Sequence, residues 1–139
     1  MAVVKNTPLG LTLPIQNGRS GYFEQSTDSF TQTRMNIINL LRTRPGERRM
    51  QPTFGCRLWN TVFEQNDEIL PAQVEKLIKE DITRWIPGVS VSDVTVNYYS
   101  DDETNDARDI YRLYIVVKFV IAAINQEDVV DIYLDKAKV

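Results

Sequence analysis

Histidine is absent from the 139 residues, and cysteine occurs once, at position 56. Without imidazole there is no histidine to activate a nucleophile and no histidine metal ligand. A lone Cys56 allows neither an internal disulfide nor a zinc cluster, and it fits assembly in a reducing compartment. Long apolar runs are missing too. The longest, 113–124, is interrupted by Lys118 and falls short of a membrane span. The first eight residues lack the basic start and apolar stretch of a signal peptide. A basic surplus is also missing. The net charge of −3 argues against general nucleic-acid binding, which needs cations to displace counterions. Gly10, Gly18 and Gly21 have the wrong spacing for a phosphate loop, and no P-loop lysine follows them. Neither a cofactor nor a metal is expected.

What remains is the composition of one ordinary globular domain, 42% hydrophobic and 25% charged. Its charge is uneven. Arg34, Arg42, Arg44, Arg48, Arg49 and Arg57 gather around one stretch with Glu47 as the only acid among them. Residues 100–109 hold five acids against Arg108 alone. One basic and one acidic end point to oriented docking between protein surfaces, the alternative being two solvated faces.

The basic stretch is Thr43-Arg44-Pro45-Gly46-Glu47-Arg48-Arg49-Met50-Gln51-Pro52-Thr53-Phe54-Gly55. Pro45 pushes Arg44 out of the α region, so a preceding helix stops near Thr43. Pro-Gly at the two central positions predicts a type II turn with Gly46 at positive φ. Pro52 stiffens a second bend. A loop this constrained is built to hold one shape, as a binding surface or as a connector packed by its own side chains. Arg44, Glu47 and Arg48 are expected in polar pairing, either inside the loop or across an interface, most simply as a bidentate arginine–carboxylate pair.

Around it the elements follow from periodicity. Residues 1–26 read as an extended N-terminal segment, with Leu11, Leu13 and Ile15 alternating over the core and Tyr22 and Phe23 expected in the core. Residues 27–88 read as the helical part. Phe30, Ile37, Ile38 and Leu41 make the stripe of a helix over 27–43, with Ser26, Thr27, Asp28 and Ser29 all offering caps. Leu58, Trp59, Val62 and Phe63 predict a helical turn, and 64–68 a polar loop. A second helix opens at Pro71, carries Val74, Leu77, Ile78 and Ile82 inward, and ends at Trp85-Ile86-Pro87-Gly88. Residues 89–139 read as a β meander with strands at 94–99, 110–121 and 129–134. The fold class is therefore α+β: two main helices packed on a small antiparallel C-terminal sheet of about three strands, with an extended N-terminal segment, in a single domain over 1–139.

The run LRTRPGERRMQPTFGCRL resembles the T-x-PGER-x-M-x-P-x-FG motif of the baseplate wedge proteins that initiate the sheath in contractile-tailed phages. Type VI secretion systems and contractile bacteriocins have counterparts. The resemblance implies a non-enzymatic subunit of a virion tail baseplate, assembled in the host cytoplasm, in about six copies by the symmetry of such tails. It implies docking on the wedge core proteins through Arg44, Pro45, Gly46, Glu47, Arg48, Pro52, Phe54, Gly55, Trp85 and Pro87. It also implies receiving the tail sheath protein by strand addition, here assigned to Tyr111, Arg112, Leu113, Tyr114, Ile115, Val116, Val117 and Lys118. That assignment takes 110–121 to be longer than its neighbours, with an apolar second face. Tail tube or hub proteins are further implied partners; nucleic acid and membrane are not. Where the family usually shows Trp-Glu-Pro-Arg, this chain has Ile86 and Gly88 in place of the two charges. The rival is a lysozyme-like cell-wall hydrolase of the baseplate, a label some members carry, but no pair of acids here flanks a cleft as glycoside hydrolysis requires.

Overall fold

The computed structural model describes residues 7–19, 21–63, 69–99, 112–122 and 124–135. Its elements in chain order are β1 (Gly10–Leu11), β2 (Gln25–Ser26), α1 (Ser29–Arg42), a 3₁₀ helix (Arg57–Phe63), α2 (Leu70–Trp85), β3 (Val89–Tyr99), β4 (Arg112–Ile121) and β5 (Gln126–Asp135). The acidic stretch 100–109, the polar loop 64–68 and Tyr111 lie outside the described residues. Two helices and a C-terminal antiparallel sheet give the α+β class that the periodicity predicts.

Of the four candidate caps, Asp28 starts α1: it is extended, and its carboxylate accepts the Thr31 N–H at 2.7 Å. A carboxylate there satisfies an orphan donor and meets the positive end of the helix dipole. That bond holds the Asp28 carboxyl below its ordinary range. The helix stops at Arg42. Thr43 is extended and returns its N–H to the carbonyls of Asn39 and Leu40. Helix α2 carries Pro71 in its first turn, where the missing N–H costs nothing. Lys79 bonds Glu75 one turn back at 2.6 Å.

The sheet order is β3-β4-β5, all antiparallel. Strand β4 alternates strictly: Leu113, Ile115, Val117, Phe119 and Ile121 are buried, while Tyr114, Val116 and Val120 are half-buried and Lys118 is exposed. The buried set packs with Ile37, Leu40 and Leu41 of α1, with Leu58, and with Leu70, Val74, Ile78 and Ile82 of α2. Each such side chain contributes about 1.5–3 kcal/mol when fully buried, so this one layer is the main source of stability.

Three expectations need correction. First, the described part of 110–121, Arg112–Ile121, is not longer than its neighbours. Its ten residues face eleven in β3 and ten in β5 and are paired along their length on both sides. As a central strand this part has no free edge, so the candidate sheath-binding residues Arg112 to Lys118 cannot accept a strand directly. Second, the first strand of the meander, expected over 94–99, begins at Val89. The register shifts between Val91 and Asp93, a bulge that leaves Ser92 extra while β3 runs on. Third, Tyr22 and Phe23 are not core: Tyr22 is 91% exposed, and Phe23, Leu11 and Ile15 are exposed as well. Strands β1 and β2 form a ribbon of two residues each. The ribbon is tied to α1 by the Leu13 N–H on Met35 Sδ (3.1 Å) and by Ser26 on Gln32. A ribbon that small has no second layer to close over its aromatics.

The contrast is testable by chemical denaturation. Phe119→Ala empties the centre of the core and is expected to cost about 3–5 kcal/mol. Tyr22→Ala is expected to stay within about 0.5 kcal/mol of the parent, as surface changes do. Equal losses at the two positions would contradict this placement.

Candidate functional site

The loop between α1 and the 3₁₀ helix is a chain of turns closed on itself. Gly46 lies at φ +94°, and the Glu47 N–H returns to the Arg44 carbonyl at 3.2 Å, which makes the turn predicted at Pro45-Gly46. The Gly46 N–H crosses the loop to the Pro52 carbonyl at 2.8 Å. Gln51 bonds back to Arg48 (3.2 Å) and Phe54 to Gln51 (3.1 Å). At the base the Cys56 N–H donates to the Thr43 carbonyl at 3.0 Å. Gly55, at φ +134°, lies against the other limb. A Cβ there would meet Pro45 N, Arg44 C and Thr43 O at 2.7–2.8 Å, whereas a Cβ on Gly46 would meet nothing. The tighter glycine is thus Gly55, where two backbones touch.

Inside this frame the polar pairing is not between side chains. Among the described residues Glu47 grips no guanidinium. Its carboxylate accepts the backbone N–H of Arg44 at 3.0 Å, as a cap across its own turn. The arginines lie on aromatic rings instead: Arg44 over Trp59 at 4.6 Å and Arg48 over Phe54 at 3.9 Å. Phe54 in turn meets Trp85 edge-on at 5.3 Å, and Arg84 lies 5.2 Å from the Trp85 ring. The Trp59 indole N–H is held by the Leu41 carbonyl at 3.0 Å. Each stacked cation contributes about 0.5–1 kcal/mol at sites that stay in contact with water. Among the described residues no carboxylate pairs with the side chains of Arg42, Arg44, Arg48, Arg49 or Arg84, and Met50, 98% exposed, projects beside them. The structure thus brings the loop residues Arg48 and Phe54 together with Trp85 at the end of α2. Pro87 is exposed next to it.

Two arginines leave the basic group. Arg34 faces Asp128 of β5 at 3.5 Å. Arg57 is a clamp: its backbone N–H and Nε donate to the two oxygens of Asp81 at 2.8 and 2.9 Å, and Nη2 donates to Glu80 at 2.8 Å. Arg57 holds the Glu80 carboxyl below its ordinary range. Asp81 is buried, so Arg57 fixes the far end of the loop to α2 with a bidentate pair. The sequence carried a signal for it. Asp81 sits on the same stripe as Val74, Ile78 and Ile82, and an acid on an apolar stripe requires a cationic partner. Burial pushes the neighbouring Cys56 thiol up to about 12, so it stays protonated and inert.

On the sheet, Leu113, Ile115 and Val117 are buried beneath the helices and out of reach of a partner. Tyr114, Val116 and Lys118 belong to the outer face. Tyr114 tilts over Tyr133 with centroids 4.8 Å apart, and Lys118 pairs with Asp93 at 3.5 Å. The Gly88 carbonyl accepts the Ala122 N–H at 3.0 Å, which puts the Trp85 end of α2 beside the Val89/Ile121 end of the sheet.

Residues 31–126 match the family described as baseplate wedge protein gp25, so the likeness seen in the loop extends through both helices and most of the sheet. The chain is 26% identical over 102 residues to baseplate wedge protein gp25 of Enterobacteria phage T4, covering 73% of this chain and 70% of that protein. Its fold is similar to a Geobacter sulfurreducens protein solved under the label of a tail lysozyme, with TM-score 0.66, 23% identity, and 78% and 91% of the two chains covered. It is also similar to a chain of the anti-feeding prophage baseplate, with TM-score 0.64, 20% identity, and 81% and 83% covered.

The loop geometry ranks two substitutions. Gly46→Ala is expected to cost about 1–2 kcal/mol, the ordinary penalty of a side chain at positive φ with free space around it. Gly55→Ala adds a backbone collision to the same penalty and is expected to lower the melting temperature further. Equal losses would show that the limbs do not touch as described.

Proposed function

Because the chain belongs to the gp25 family of baseplate wedge proteins, structural components of contractile-tail systems, we propose that it joins two assemblies without catalysis. The loop 43–57 docks on the core proteins of the wedge, and the C-terminal sheet gives the tail sheath protein its first strands to pair with. The observation that carries this reading is the loop itself. It is basic, closed by its own backbone hydrogen bonds and stacked on aromatics, and it holds guanidinium edges that no carboxylate meets among the described residues. Such edges fit carboxylates on a partner. Tail tube or hub proteins are further candidate neighbours.

The same geometry bears on the charges this chain lacks after Trp85. Ile86 packs against the core, and Gly88 turns the chain at φ +87° into β3. The cation beside Trp85 is Arg84 instead, and it continues the row begun by Arg44 and Arg48. Docking is therefore carried by the arginine row rather than by a Glu and an Arg flanking the proline.

Catalysis is left out for a physical reason. Glu80 and Asp81 are adjacent carboxylates, but both are held by Arg57, and neither faces the other across a cleft. A peptidoglycan zymogram is expected to show no clearing, and clearing lost on mutating one Asp or Glu would overturn the structural reading. For docking, Arg48→Glu with Arg49→Glu is expected to weaken association with the purified wedge core by tenfold or more, about 1.4 kcal/mol, while lowering folding stability by no more than the roughly 0.5–1 kcal/mol of the Arg48 stack. Unaltered association at physiological salt would contradict the proposal.

A further inference from the structure

Strand addition needs an edge, and among the described residues the sheet has two, β3 and β5. They are not equivalent. β3 is interrupted at Ser92, where the register shifts, and such bulges twist an edge and break the row of groups an arriving strand must meet. β5 holds unbroken register with β4 from Gln126 to Asp135, so its far side is a regular ladder ten residues long. The Val129 N–H donates to the carboxylate of Asp128 at 2.8 Å, a side chain standing in where another strand could offer a carbonyl.

The side chains of β5 say what kind of strand fits. The strand reads Gln-Glu-Asp-Val-Val-Asp-Ile-Tyr-Leu-Asp, with four acids and no base. On the outer face Glu127, Val129, Asp131 and Tyr133 alternate acid with apolar, and all four are exposed. Lys118, the cation on the adjacent strand, is paired with Asp93 on its other side, and neither Glu127 nor Asp131 has a cationic partner among the described residues. A second copy of β5 would set acid against acid. Like charges directly opposite destabilise a strand pair, so the edge is protected from pairing with itself.

We propose that β5 is the edge that accepts the added strand, and that the strand it accepts is basic. Lys or Arg lies opposite Glu127 and Asp131 on that strand, and apolar residues lie opposite Val129 and Tyr133. The inference rests on the reading that the sheet receives sheath strands, and it adds the edge, the register and the charge. Backbone bonds supply affinity, the period-two pattern supplies register, and the charges choose the partner.

The test uses full chains incorporated into baseplates, with the tail sheath protein of the same system as probe. The readout is the rate of sheath initiation. Glu127→Lys with Asp131→Lys reverses the outer face, Glu127→Gln with Asp131→Asn removes its charge, and Val129→Pro blocks pairing at the edge. Val96→Pro, whose N–H lies on the free side of β3, does the same there. Melting temperature and baseplate incorporation report folding for each variant, and the neutral pair serves if the reversed pair folds poorly. The proposal expects initiation to fall tenfold or more with reversed charge and with Val129→Pro. It expects a smaller fall with the neutral pair, one that shrinks at high salt. If Val129→Pro stops initiation and both charge variants leave it unchanged, the basic partner is wrong while strand addition at β5 stands. If Val96→Pro stops initiation and Val129→Pro does not, the edge is wrong and the sheath reading survives. If neither proline matters, both fall.

Discussion

The close approach at Gly55 is the constraint on which the rest of the basic surface depends. Two limbs of one loop touch there, backbone on backbone, and the Cys56–Thr43 hydrogen bond seals the contact. Closing the loop at that point fixes where α1 ends and where the 3₁₀ helix begins. It also sets Phe54 at the height of Trp85 and brings Arg57 to Asp81. Without it, the arginines would be ordinary mobile surface cations, each worth little in any pairing. With it, they are laid on rings that are themselves held by the core.

The clamp at Arg57 and the row of stacked arginines show the same residue type in two roles. Arg57 meets both oxygens of a buried carboxylate through its backbone N–H and Nε, and a second acid through Nη2. Arg44, Arg48 and Arg84 lie over aromatic rings, and among the described residues no carboxylate pairs with their side chains. One arginine thus ties the chain together, while those on the rings offer cations that the described residues do not meet. On the sheet the logic is similar. The central strand is saturated on both sides, and unpaired groups are confined to edges, of which one is bulged and one regular.

Much of this was legible in the chain. The Pro45-Gly46 turn, the helix stop at Thr43 and the three-stranded meander follow from local rules about φ, caps and alternation, and those rules act at short range. What escaped was set by long-range partners. Inside the loop the Glu47 carboxylate takes the backbone N–H of its own turn rather than a guanidinium, a local donor that the charge pattern does not reveal. Tyr22 and Phe23 looked like core residues by composition, yet the layer they would join is already filled by α1 and α2. That 112–121 is paired along its whole described length could not be read from that length, because pairing depends on where the neighbouring strands end. The importance of Gly55 depended on a contact with residues ten positions earlier, which no local pattern encodes.

Native-state amide hydrogen exchange on the isolated protein tests most directly whether the loop is built before any partner arrives. The account predicts that the Gly46 and Cys56 amides, which bond across the loop, exchange about a hundredfold or more slowly than in an unstructured chain. Exchange of both at unprotected rates in the free protein, with protection gained only on joining a wedge, would contradict it.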